Sequence, residues 1–119
     1  MACINYERDI MHFEYYQKEA AKFAMYEASI YPFLGLAEEV GEFIGLVAKE
    51  QRGDDMIARY GSEDNLTLTI MKEMGDILWM LANCAEELNL NLGDVAELNL
   101  QKLADRKKRD VIKGAGDSR

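Results

Sequence analysis

A chain of 119 residues has room for one domain with a buried core of its own, and is too short for two ordinary domains. Nearly half its residues are apolar (49%) and 30% are charged, the balance of a globular protein. The net charge of −8 argues against wrapping DNA or RNA, which needs a basic face, but allows a small anionic ligand if a cation stands between it and the carboxylates.

One proline (Pro32) and the absence of valine-rich alternating runs point to helices. In chain order, the pattern predicts a first helix over about Tyr6–Ala28, closed by Ser29–Pro32, where proline removes a backbone donor. A second helix is expected over about Phe33–Gln51. The polar, glycine-containing stretch Arg52–Asn65 reads as a connection holding one short turn. A third helix covers about Leu66–Leu90, Asn91–Gly93 breaks it, and a fourth runs from Asp94 to about Arg109. The tail from Lys113 is irregular. The expected fold is all-α: an antiparallel four-helix bundle over residues 1–119, completed or extended by another subunit. No apolar run reaches the ~18 residues of a membrane span, and the N-terminus is unlike a signal peptide, so the expected location is the cytoplasm, with no membrane partner. Cys3 and Cys84 are then expected as free thiols rather than a disulfide.

The second and third helices share a phrase. EVGEFIGLV (Glu39–Val47) returns as EMGDILWML (Glu73–Leu81), each with acids at its first and fourth positions. At about 100° per residue, Leu36, Val40, Phe43, Ile44 and Val47 form one stripe, expected to face the core. Glu39 and Glu42 fall on its flank, with Leu46 between them. On the third helix Met74, Ile77, Leu78 and Leu81 form the stripe, and Glu73 and Asp76 take the same flank, beside Met80 and Cys84. Carboxylates bordering apolar surface are unfavourable without compensation. If the two flanks meet across a shared groove, four acids converge, and a divalent cation relieves their repulsion. Oxygen-only ligands select hard ions: Mg²⁺, with Mn²⁺ as a possible substitute. Gly41 and Gly75, in matched positions inside the two helices, suggest a close approach by another backbone or a ligand. The plainer reading is that the acids are merely solvated; two in-phase copies weigh against it.

These acid pairs resemble the metal-binding signature of the MazG-like nucleotide pyrophosphohydrolases, of the all-α NTP pyrophosphatase superfamily. YQKEAAKFAMYEASIYPFLGLAEEVGEF is similar to the N-terminal half of that family, and NLQKLADRKKRDVIKGAGDSR to the end of its single-domain members. The resemblance implies Mg²⁺-dependent cleavage of a nucleoside triphosphate to monophosphate and pyrophosphate, in nucleotide-pool house-cleaning, by a homodimer or homotetramer. Carried over by position, Glu39, Glu42, Glu73 and Asp76 are metal ligands; Glu38, where members of the family vary, either supports the ligands or orients water, and Glu38 and Glu39 are the expected catalytic residues. Asn99 and Lys102 match an Asn-x-x-Lys associated with nucleotide contact. The thirty residues between the acid pairs are a departure, being long for the family, and the extra length falls in Arg52–Asn65.

Triphosphate also calls for cations. Lys102, Arg106, Lys107, Lys108, Arg109, Lys113 and Arg119 are candidates, with Lys102 and Arg109 preferred, contributed by a neighbouring subunit; for Arg106–Arg109 the plainer role is favourable charge at a helix C-terminus. Phe13, Tyr16, Gln17 and Tyr26 are candidates for a base pocket, Phe13 and Gln17 foremost; core packing is their ordinary role. Trp79 lies opposite its helix's stripe and is expected to pack on the first or fourth helix or on another subunit. His12, the sole histidine, cannot supply the paired ligands of a di-iron bundle. No nucleophile arrangement or EF-hand spacing is present. Two alternatives remain: a phosphoribosyl-ATP pyrophosphohydrolase using the same chemistry, and a non-catalytic helical oligomerisation module.

Overall fold

A computed structural model describes residues 10–114, 116 and 117. They form five helices and no strand: α1 (Phe13–Ala21), α2 (Tyr31–Gln51), α3 (Met56–Tyr60), α4 (Glu63–Glu87) and α5 (Leu92–Lys108). The boundaries follow local chemistry. His12 caps α1 by accepting from the Tyr15 N–H at 3.2 Å. Pro32 sits in the first turn of α2, where its missing N–H would have had no intrahelical partner, so it opens this helix rather than delaying it. Asp55 caps α3, and Gly61, at φ +91°, closes it in the left-handed region that favours glycine. Ser62 accepts from the Asn65 N–H at 3.1 Å and starts α4 three residues before the predicted point. Asn91 accepts from Gly93 and Asp94 and starts α5 at Leu92.

The first helix departs most from expectation. Its predicted start at Tyr6 lies outside the described residues, but Ile10 to His12 are not helical and the helix ends at Ala21 rather than Ala28. The reason is tertiary. The Ala20 carbonyl, which a continuing helix would offer to Ala24, instead accepts from Trp79 Nε1 at 3.2 Å and from the Phe23 N–H at 3.1 Å. Downstream, Tyr26 leaves the helix and its hydroxyl donates to Glu87 at 2.8 Å, tying the loop to the end of α4. Burial, then that hydrogen bond, pushes the Tyr26 hydroxyl up to about 12.

The main packing is between α2 and α4. Gly35 faces Met80, and Phe43, Leu46 and Glu50 share a small cavity with Leu66 and Ile70. Partners on α4 fall in number as those on α2 rise, so the two helices run antiparallel. α4 also packs against α1 and the short α3, and α5 packs on α1. Within the chain the expected core stripe is not the core. Val40, Ile44, Val47, Met74 and Leu81 are 40–53% exposed, whereas Leu46, Met80 and Cys84, placed by helical phase beside the acids, are buried. The α2–α4 seam runs through the acidic flank, and the apolar stripes face outward. Within the chain nothing approaches Gly41 or Gly75 closely: a Cβ at either would meet nothing within 4 Å. The tight contact is at Gly35, where a Cβ would lie 2.7 Å from Met80 Sδ.

Cys84 is a free, buried thiol, pushed above its ordinary value by burial; Cys3 lies outside the described residues. Among the described residues, no helix is long and apolar enough to cross a membrane.

Candidate metal centre

Antiparallel packing through the acidic flank brings the two Glu-x-x-acid segments together. Glu39, Glu42 and Glu73 each offer a carboxylate oxygen within 4.8 Å of the others. Asp76 stands outside that triplet but close enough for its charge to act on Glu39, Glu73 and Tyr16. Glu38 is exposed, and its charge also acts on Glu39.

The cluster is electrostatically uncomfortable. Burial raises the Glu39 carboxyl above its ordinary value, and Asp76, Glu42, Glu38 and Glu73 raise it further. Burial likewise raises Glu73, followed by the charges of Glu42 and Asp76. One Glu73 oxygen, Oε2, is buried without a hydrogen-bond partner. Buried polar atoms are usually satisfied, and acids that push one another's proton affinity up are found where a cation or a reaction uses them. The donor set of carboxylate oxygens, with no nitrogen or sulfur, fits a hard divalent ion.

Beside Asp76 a cleft of about 540 Å³ opens between α1 and α4, lined by Tyr15, Tyr16, Ala20, Phe23, Gly75 and Trp79, with Met11 and Glu19 at its edge. It is mostly apolar and aromatic, and the indole of Trp79 is fixed by its bond to Ala20. Trp79 thus packs on the first helix, one of its expected partners. Tyr16 lines the cleft as expected. Phe13 contributes instead to a smaller neighbouring pocket with Met11, His12, Tyr16 and Leu78. Gln17 is buried and fully engaged: its Nε2 donates to the Leu90 carbonyl at 2.9 Å and its Oε1 accepts from the Leu92 N–H at 2.6 Å. That amide braces the turn between α4 and α5. Tyr15, Glu19 and Phe23 were not singled out from the sequence; their i, i+4, i+8 spacing on the first predicted helix was the available signal.

The basic candidates on α5 are not gathered at the acids. Lys102 Nζ lies 3.0 Å from Asp117, which also receives Arg106 at 2.8 Å. Arg109 pairs with Asp105 at 2.8 Å. Asn99 is exposed on the same helix. The cation whose field reaches Glu73 is one that sequence reasoning missed, Lys49 of α2.

Residues 31–111, which include both acid pairs, match the family model described as the MazG nucleotide pyrophosphohydrolase domain. The chain is 36% identical over 118 residues to the Gene 37 protein of Mycobacterium phage L5, an alignment covering 92% of this chain and all of the phage protein. No solved structure matches it.

Proposed function

The chain belongs to the MazG nucleotide pyrophosphohydrolase family, and from that premise we propose that it hydrolyses nucleoside triphosphates to monophosphate and pyrophosphate with Mg²⁺ held at the α2–α4 seam. The observation that carries this reading is the meeting of Glu39, Glu42 and Glu73 across the seam, with Asp76 beside them. Glu39, Glu42, Glu73 and Asp76 would hold the ion. When bound, such an ion acidifies water and offsets charge on phosphate oxygens. Glu38, exposed next to Glu39, would orient the attacking water. Tyr15, Tyr16 and Trp79 offer aromatic faces on which a base can stack in the open cleft. Phe13 widens that apolar wall from its neighbouring pocket.

We further infer that the working protein is a homo-oligomer in the cytoplasm that clears unwanted nucleotides. The chain exposes 9488 Å², against about 6,600 Å² expected for a compact chain of 13.6 kDa. The outward stripe of Val40, Ile44, Val47, Met74 and Leu81 suits a second copy, and burying it would supply the core that one chain lacks. Assembly would also be the route by which Asn99, Lys102 and Arg109 of a neighbouring α5 meet the phosphates. Ile44→Glu is expected to shift the assembly to monomer in light scattering; an unchanged mass would remove this part of the proposal.

The functional test is a panel of common and damaged nucleoside triphosphates, with phosphoribosyl-ATP included, assayed with Mg²⁺ for pyrophosphate and orthophosphate. Pyrophosphate as the direct product supports the reading. Orthophosphate alone would place cleavage at another bond.

A further inference from the structure

Three cationic groups lie around the C-terminal end of α2, and two are already tied. Arg52 donates to both Asp54 oxygens at 2.7 Å, and Arg59 approaches the same carboxylate at 3.8 Å. The third is Lys49. It is half-buried and makes no hydrogen bond or ion pair with any described residue. Its position is fixed by the helix. Seven residues beyond Glu42, it returns to within about 20° of the same face, about 10.5 Å further along the axis. It therefore lies in line with the acid seam, on the side toward the α2–α3 connection. Its charge is felt at Glu73 on one side and at Asp54 on the other.

The Lys49 stem is partly covered, and its ammonium has no counter-ion among the described residues. Near an acidic cluster it would be expected to fold back onto a carboxylate, yet the acids lie two turns away and Asp54 is saturated by arginine. What fits between is an anion that begins at the acids and extends along the seam. A triphosphate anchored through a divalent cation has that form: one end at the cation, a chain of charged oxygens leading away.

We propose that Lys49 binds the departing pyrophosphate portion of the substrate, the β and γ phosphates, from within the same chain that supplies the acids. The long Arg52–Asn65 connection then has a role. Its Asp54 holds Arg52 and Arg59 and keeps them from competing for the same anion, leaving Lys49 presented. The assignment rests on the pyrophosphohydrolase reading above and adds to it a specific phosphate contact. Lys49 also lies in the last turn of α2, where its charge favours the helix end. That role affects stability and leaves pyrophosphate affinity alone, so the two are separable.

The experiment compares wild type, Lys49→Met and Lys49→Arg. Three quantities are read: KM for the best triphosphate, the inhibition constant of inorganic pyrophosphate with Mg²⁺, and the Mg²⁺ dissociation constant by calorimetry. For Lys49→Met both KM and the pyrophosphate constant rise on the order of tenfold, the loss of one charge-assisted contact. Mg²⁺ binding is unchanged or tighter, because a positive charge has left its neighbourhood. Lys49→Arg recovers most of the pyrophosphate affinity. A pyrophosphate constant for Lys49→Met within about twofold of an active wild type overturns the assignment. A wild type that binds Mg²⁺ but hydrolyses no triphosphate overturns the functional reading, and the Lys49 assignment with it.

Discussion

The acid seam between α2 and α4 and the basic end of α5 are charged regions of opposite construction. On α5 the cations of the predicted substrate site are paired within the chain: Lys102 and Arg106 share Asp117, and Arg109 pairs with Asp105. Arg106 is buried, and its exposed partner Asp117 is held below its ordinary value by Lys102 and Arg106. At the seam the opposite holds. Glu39, Glu42 and Glu73 lie together with no cation in contact among the described residues, and burial and mutual repulsion drive Glu39 and Glu73 upward. One region is arranged for stability. The other holds like charges together, an arrangement that an added positive charge would relieve.

Substitution should separate the two most sharply. Glu39→Gln or Glu73→Gln is expected to lower triphosphate hydrolysis on the order of 100-fold while raising the melting temperature of the metal-free protein, because a repulsive carboxylate has gone. Pyrophosphate release and thermal melts read the two effects. Loss of activity together with lower metal-free stability would make the acids structural. Asp117→Asn should do the reverse, lowering the melting temperature by leaving Arg106 without its counter-charge.

A smaller effect is the response to pH. Glu39 and Glu73 titrate above the ordinary glutamate value of 4.5 in the folded chain. Just above pH 4.5 the folded chain therefore keeps protons that the unfolded chain has released, and this contribution to stability falls as pH rises through the window. Saturating Mg²⁺ should cancel the trend. Asp117 titrates below its ordinary 3.8, so its contribution is present above that value and is lost as pH falls through its depressed range. Denaturant titrations of Glu73→Gln and Asp117→Asn against wild type across pH 3–7 should give difference curves of opposite slope; parallel curves would erase the distinction.

Glycine substitutions sharpen the packing half of the comparison. Gly35→Ala should destabilise by about 1–3 kcal/mol, since its Cβ would meet buried Met80. Gly41→Ala, with open space around it, should be neutral or stabilising by up to about 1 kcal/mol within the single chain. Chemical denaturation checks both.

How much of this was legible beforehand depended on which interactions were local. Helices α2, α4 and α5 were predicted to within a few residues because caps, breaks and periodicity are written nearby. The convergence of the acids was readable because matched helical phase on antiparallel neighbours allows no other meeting once the flank is the seam. What could not be read was which face of each helix one chain would bury. Hydrophobicity marks Val40, Ile44 and Val47 as interior, but does not say whether the interior belongs to one chain or several. The early end of α1 was hidden because Trp79 and Glu87, far along the sequence, decide it. Lys49 was legible: its phase falls near 220° on the scale that puts Glu42 near 240°. It was missed because phosphate contacts were sought among the clustered basic residues near the C-terminus.

The central claim is that the α2–α4 carboxylates hold a divalent cation, and calorimetric titration of Mg²⁺ into wild type and Glu73→Gln tests it most directly. Saturable binding, with proton release in the raised titration range of the carboxylates, lost in the variant, is the result predicted. Equal, unsaturable heats for both proteins would contradict it.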